Sequence, residues 1–126
     1  ISACLVGSEM CIRDRYSHAR MCSILDRYGA EVPPWSIEEN LTESEIALLR
    51  FLVKWPQTVD SAIDKFSIHL IPSYVHQLSS KFNNFYRDCK VIGDVNESFR
   101  LNLVLVSKRI LFDALDILGV EAPEKM

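Results

Sequence analysis

Glycine is scarce. Four occur in 126 residues, at positions 7, 29, 93 and 119, and none is clustered with another. A P-loop or a dinucleotide-binding turn needs clustered glycines to bring backbone amides against phosphate, so both are excluded. A GxSxG nucleophile elbow is missing too. The three histidines, His18, His69 and His76, lack HExxH-type spacing. The four cysteines, Cys4, Cys11, Cys22 and Cys89, form no CxxC pair. No metal site is therefore assigned. Unpaired thiols on apolar helix faces fit a reducing, cytoplasmic compartment better than a disulfide framework. No run of 18 apolar residues occurs, so no membrane span is expected. Strong positive charge is also absent. A net charge of −3 argues against nucleic-acid binding driven by bulk charge alone.

What the chain does have is helical periodicity. Tyr16–Tyr28 carries an apolar strip of Ala19, Cys22 and Leu25, with Ile24 and Tyr28, and Gly29 offers a C-terminal stop. Residues 31–40 hold Pro33-Pro34 and read as a loop. Thr42 and Glu45 have capping-box spacing. The helix they open should run to about Trp55 and bury Ile46, Leu49 and Val53 with Leu48 and Leu52. Pro56 suits the first position of another helix, with a stripe of Val59, Ala62, Ile63 and Phe66, ending near His69. A long helix is expected over 72–92, facing the core with Tyr74, Leu78, Phe82, Phe85, Cys89 and Ile92. Gly93-Asp94 breaks it. The last helix spans about Asn96–Leu118, with Leu101, Val104, Leu111, Leu115 and Leu118 as its main stripe and Leu103, Ile110 and Ile117 as a second one. Its wide apolar coverage predicts the central, most buried helix. No segment alternates strongly enough to demand a strand. The expected fold is all-α, a bundle of four to five helices with short connections.

Residues 1–15 do not match the rest. Glu9-Met10-Cys11-Ile12-Arg13-Asp14 is similar to a translation of the transposon-end adapter used in DNA sequencing libraries. Residues 1–15 are therefore expected to be a non-native leader, with the domain proper at 16–126.

Beside the core stripe of the 72–92 helix runs a second row, Ser79, Asn83, Tyr86 and Lys90, spaced four, three and four. On one helix surface such a row presents an amide, an aromatic ring and a cation. These groups can stack on and hydrogen-bond to an unpaired nucleobase. The competing reading is a solvated helix face, with Tyr86 merely bordering the core. Between Lys81 and Arg109 six basic residues (Lys81, Arg87, Lys90, Arg100, Lys108, Arg109) meet three acidic ones, a local excess of positive charge that points to an anionic partner. Catalysis lacks parts. Asp113 and Asp116 sit one turn apart on a narrow polar side, with no nucleophile, base and orienter assembled around them.

Several runs together resemble the C-terminal, all-helical anticodon-binding domain of arginyl-tRNA synthetase. They are Tyr16-Ser17-His18-Ala19-Arg20, then Ser73-Tyr74 through Phe82-Asn83-Asn84-Phe85-Tyr86 and Cys89-Lys90-Val91, then Leu115–Gly119 and Ala122-Pro123-Glu124-Lys125-Met126. The resemblance covers residues 16–126. It implies a fold of the anticodon-binding type and, as partners, the anticodon loop of an arginine tRNA and a catalytic domain of the same chain. It implies that Asn83, Tyr86 and Lys90 face the anticodon, with Met126 close by. Arginine is common where this chain has Lys90, and lysine lacks the planar fork for bidentate contacts. The parent enzyme would attach arginine to its tRNA using ATP and magnesium. No cofactor is expected on this fragment, which lacks HIGH-like and KMSKS-like signatures and should be inactive by itself. His18 and Arg20 divide evenly between packing or solvated charge and docking to the catalytic domain or the tRNA body. The alternative from another class is a helical protein-interaction bundle with no RNA role, binding a partner through exposed apolar surface.

Overall fold

A computed structural model describes residues 8–124. The order is α1 (Ser8–Tyr28), α2 (Glu43–Leu52), α3 (Trp55–Asp64), α4 (Leu70–Asp88) and α5 (Glu97–Ile117). No strand occurs among the described residues. The all-α bundle expected from periodicity is therefore found, with five helices.

The helix ends follow local chemistry. The Thr42 hydroxyl accepts from the Glu45 amide at 3.3 Å, and Glu45 Oε1 accepts from the Thr42 amide at 3.2 Å, which closes the capping box. Gly29 and Gly119 both adopt positive φ just past a helix end. At Gly119 the Val120 amide donates to Leu115 and the Gly119 amide to Asp116, the paired bonds of a Schellman motif. Pro72 lies in the first turn of α4, where its missing amide leaves no helical bond unmade.

The core forms where the stripes meet. Tyr74, Leu78, Phe82, Phe85 and Cys89 are buried from α4 and its cap, and Leu101, Val104, Leu111 and Leu115 from α5. Met21 and Ile24 of α1 and Leu48, Phe51 and Leu52 of α2 join them. By packing the central helix is α4, not α5 as the apolar circumference suggested, although α5 does bury the most residues, nine against seven in α4. Helix α4 packs against all four others, whereas α5 packs mainly on α1, α2 and α4. Ile117, from the predicted second stripe of α5, is 57% exposed.

Two further expectations fail. In α2, Leu49 and Val53 are exposed, and the buried face is Glu45, Leu48, Phe51 and Leu52. Two polar ties set that rotation. Glu45 is drawn inward by Arg100 of α5, with Nη2 to Oε1 at 3.1 Å. Phe51 stacks on Tyr74 at 4.4 Å between centroids, while the Tyr74 hydroxyl donates to the Phe51 carbonyl at 2.8 Å. Helix α3 stops at Asp64 and buries none of its residues fully. Ile63 and Phe66, predicted for its core stripe, are open to solvent, and Phe66 carries a left-handed φ of 48° as the chain reverses. The cause is position. Helix α3 lies at the edge of the bundle, packed mainly on α4, so one short contact has to satisfy the whole helix.

Helix α1 starts at Ser8, eight residues before the predicted Tyr16, so it runs through the end of the presumed leader. Asp14 is buried on it. Residues 1–7 lie outside the described part of the chain.

Candidate functional site

The predicted row on α4 does not survive as one strip. Ser79 is fully buried. Asn83 and Tyr86 are half-buried, at the surface where α4 meets α1. Lys90 is exposed but lies beyond the helix. Cys89 caps α4 in an extended conformation (φ −126°, ψ 132°), so the four-residue helical spacing from Tyr86 to Lys90 has no meaning there. Met126 lies outside the described residues.

The structure nevertheless keeps Tyr86 and Lys90 together. Both line one depression, with Arg27 and Arg87 beside them and Ile24, Cys89, Val91 and Ile92 as its apolar floor. On the other side of Tyr86, α1 contributes Tyr16, Ala19, Arg20, Ser23 and Arg27 to a second open depression of about 480 Å³, which Glu124 also lines. The two share Ile24, Arg27 and Tyr86, so they form a continuous groove along the α1–α4 seam.

Arg20 is the residue that helix periodicity could not place. Its guanidinium lies 4.8 Å from the Tyr86 ring centroid. Its Nη1 donates to Asn83 Oδ1 at 3.1 Å. Arg20, Asn83 and Tyr86 thus make one planar, donor-rich cluster from two helices. Because Asn83 Oδ1 is engaged by Arg20, its amide nitrogen is the group that remains to donate to a ligand. Tyr86 is also near-parallel to Phe82, with centroids 6.4 Å apart, so the core braces the ring. The sequence signal for Arg20 was weak, since it is solvent-exposed on a helix whose partner lies 63 residues away.

Charge around the cluster is positive. Among the described residues, Arg20, Arg27 and Lys90 take part in no ion pair, while Arg87 pairs with Asp88 at 3.3 Å on the open surface. The Ser44 hydroxyl bond, at 2.6 Å, and then Arg87 hold the Asp88 carboxyl below its usual range. Arg100 was counted with the basic residues of this stretch, but its side chain is only 8% exposed and pairs with Glu45 and Asp94. Burial pulls its pKa down, and the hydrogen bond and charge of Glu45 outweigh that and raise it. Arg100 therefore adds nothing to the surface field.

His18 is settled differently. It is buried against Phe112 (ring centroids 6.0 Å apart), and its Nδ1 donates to the Pro123 carbonyl at 2.8 Å. It fastens the C-terminal tail to α1 and so brings Glu124 to the groove. The buried Cys22 lies one turn on, 3.7 Å from the same nitrogen, and Cys22 and Cys89 are both free thiols, as expected of small core hydrophobes. Among the described residues no cluster of three His, Cys, Asp or Glu side chains could hold a metal, and no helix is long and apolar enough to cross a membrane.

Comparison with known proteins agrees with this architecture. The family model of the DALR anticodon binding domain matches residues 15–126. Among curated relatives, the arginine–tRNA ligase of Methanobrevibacter smithii is 40% identical over 118 residues, covering 92% of this chain and 20% of its own. That of Salinibacter ruber is 38% identical over 120 residues, covering 89% of this chain and 21% of its own. In structure, Thermus thermophilus arginyl-tRNA synthetase superimposes with a TM-score of 0.80 at 30% identity, over 90% of this chain and 20% of that one. The chain thus spans about a fifth of the length of the curated relatives it matches.

Proposed function

The chain belongs to the DALR anticodon-binding domain family, and from that premise we propose that it reads the anticodon loop of an arginine tRNA on behalf of an arginyl-tRNA synthetase. The observation that carries the reading is the Arg20–Asn83–Tyr86 cluster, set in a groove with Arg27 and Lys90. Unpaired loop bases are recognised by stacking on aromatic rings or guanidinium planes and by hydrogen bonds to their edges. Here the two stacking groups come layered. A base entering from solvent meets the Arg20 plane first, with Tyr86 behind it. Asn83 supplies an edge donor, and Arg27 and Lys90 offer charge to the flanking phosphates. Three positive side chains with no ion pair among the described residues, Arg20, Arg27 and Lys90, concentrated in one groove, can attract RNA although the whole chain is acidic, because screening confines each field to about 8–10 Å. Met126 belongs to the same proposal, since the tail that leads to it is pinned beside the groove at Pro123. Attachment of arginine, with ATP and magnesium, would be the task of the remaining part of such an enzyme, in the cytoplasm.

The test is affinity for an arginine-tRNA anticodon stem-loop against one with a scrambled loop. Clear preference for the cognate loop is expected, and equal affinity would remove the reading. A second reading, a protein-docking face, draws on a different place. Trp35, Ile37, Leu49, Val53 and Val106 line an apolar groove between α2, α5 and the preceding loop. A domain cut from a longer chain would expose such a face to its own neighbour. Mutating Val53 and Val106 to serine would leave RNA affinity unchanged if the two surfaces are separate.

A further inference from the structure

Among the described residues, Lys90 is the one candidate RNA contact that no helix holds in place. Its turn, residues 89–94, is fixed instead by side chains from elsewhere. Arg100 Nη1 donates to the Lys90 carbonyl at 2.6 Å, and the same nitrogen lies 3.4 Å from Asp94 Oδ2. Arg100 Nη2 donates to Glu45 Oε1 at 3.1 Å. One guanidinium therefore grips both ends of the turn and ties them to the start of α2. The Gly93 amide adds a bond to Glu97 Oε1 at 2.9 Å. Gly93 has a φ of +90°, and a Cβ placed there would lie 3.5 Å from Lys90 Cε and Nζ, so the lysine side chain passes over this glycine.

Arg100 and Glu45 are both buried and cannot reach a bound RNA. Buried ion pairs contribute little net stability compared with apolar packing, so stability alone gives weak reason for this one. What the network does achieve is a single geometry for an otherwise unsupported turn. We propose that Arg100 is a positioning residue for RNA binding: it fixes the 89–94 turn and so holds the Lys90 ammonium over Gly93, in the depression that Tyr86 also lines. This rests on the reading of Lys90 as an RNA contact given above.

The test uses the full chain and the arginine-tRNA anticodon stem-loop, with Lys90→Ala, Arg100→Lys and the double variant, each checked for folding by circular dichroism. A lysine at 100 keeps the charge beside Glu45 but lacks the fork that reaches three acceptors. Arg100→Lys is expected to weaken binding about as much as Lys90→Ala, and the double variant no more than Lys90→Ala alone. Both single variants should lower the salt dependence of binding by about one released ion. If Arg100→Lys does not fold, Gly93→Ala takes its place, since a Cβ at a φ of +90° strains the 89–94 turn that carries Lys90 while sparing the Arg100–Glu45 pair. Additive losses, or a variant at 100 or 93 that binds like the unmodified chain while Lys90→Ala binds weakly, would overturn the proposal. If Lys90→Ala binds normally, the proposal falls with the role of Lys90. Anticodon recognition itself would stand or fall separately on the scrambled-loop comparison.

Discussion

The guanidinium of Arg20, on α1, covers the ring of Tyr86, on α4, at 4.8 Å, and its hydrogen bond to Asn83 holds it there. The two residues are 66 positions apart and meet only because α1 and α4 pack together. The contact turns an exposed charge and a half-buried ring into one layered surface. Neither face of Tyr86 is fully open, so stacking by the ring and stacking by the guanidinium are coupled.

Tyr86→Ala is expected to remove about 1–3 kcal/mol of stem-loop binding, the range for a base stacked on an aromatic. Tyr86→Phe should keep most of it. Arg20→Ala should also weaken binding and reduce its salt dependence. Tighter binding by Arg20→Ala would instead mean that the arginine blocks the ring. Titrations at two salt concentrations distinguish these results.

Leu111 is fully buried, as are Val104, Phe82 and Phe85, and Leu115 is nearly so. Leu111→Ala is expected to cost about 2–5 kcal/mol of folding stability, because a cavity remains where the side chain was. A shift of the urea midpoint corresponding to less than 1 kcal/mol would show that the bundle relaxes around the site.

Removal of residues 1–15 is expected to leave the urea midpoint nearly unchanged. Asp14 makes the point testable by pH. Burial raises its carboxyl above the ordinary range, against the opposing effects of Ser79, His76 and Arg13. A raised carboxyl pKa in the folded state means that the folded form binds the proton better. The stabilisation is then complete below the ordinary aspartate range and is lost as pH rises through the folded value. Asp14→Asn should accordingly be more stable than the unmodified chain at pH 7, with the difference shrinking towards pH 4. A variant less stable at pH 7 would show that the carboxylate is well accommodated.

The purified chain is expected to give no pyrophosphate exchange dependent on ATP and arginine. It holds no clustered glycines and no assembled nucleophile, base and orienter among its described residues. Exchange above background would place an active site on the bundle.

The sequence by itself determined the helices, most of their ends and much of the core. Capping at Thr42, the stop at Gly29 and the motif at Gly119 are set within a few residues of chain, and so is the stripe from Tyr74 to Cys89. A period of 3.6 residues is a local property, legible without the fold. It also marked Asn83 and Tyr86 as neighbours at the edge of that stripe. It misjudged what depends on other helices. Ser79 is sealed by neighbours, α2 is turned by Glu45 and Phe51, and α4 ends at Asp88 although no glycine or proline intervenes before Gly93. There the Arg100 bond to the Lys90 carbonyl and the burial of Val91 favour a turn over another helical repeat. Arg20 stands evenly between packing or solvated charge and docking, and Arg100 reads as one of several basic residues facing an anionic partner. Tertiary packing alone decided that one lies on Tyr86 in the groove and the other is locked inside, because the energy of a charge depends on which distant groups surround it.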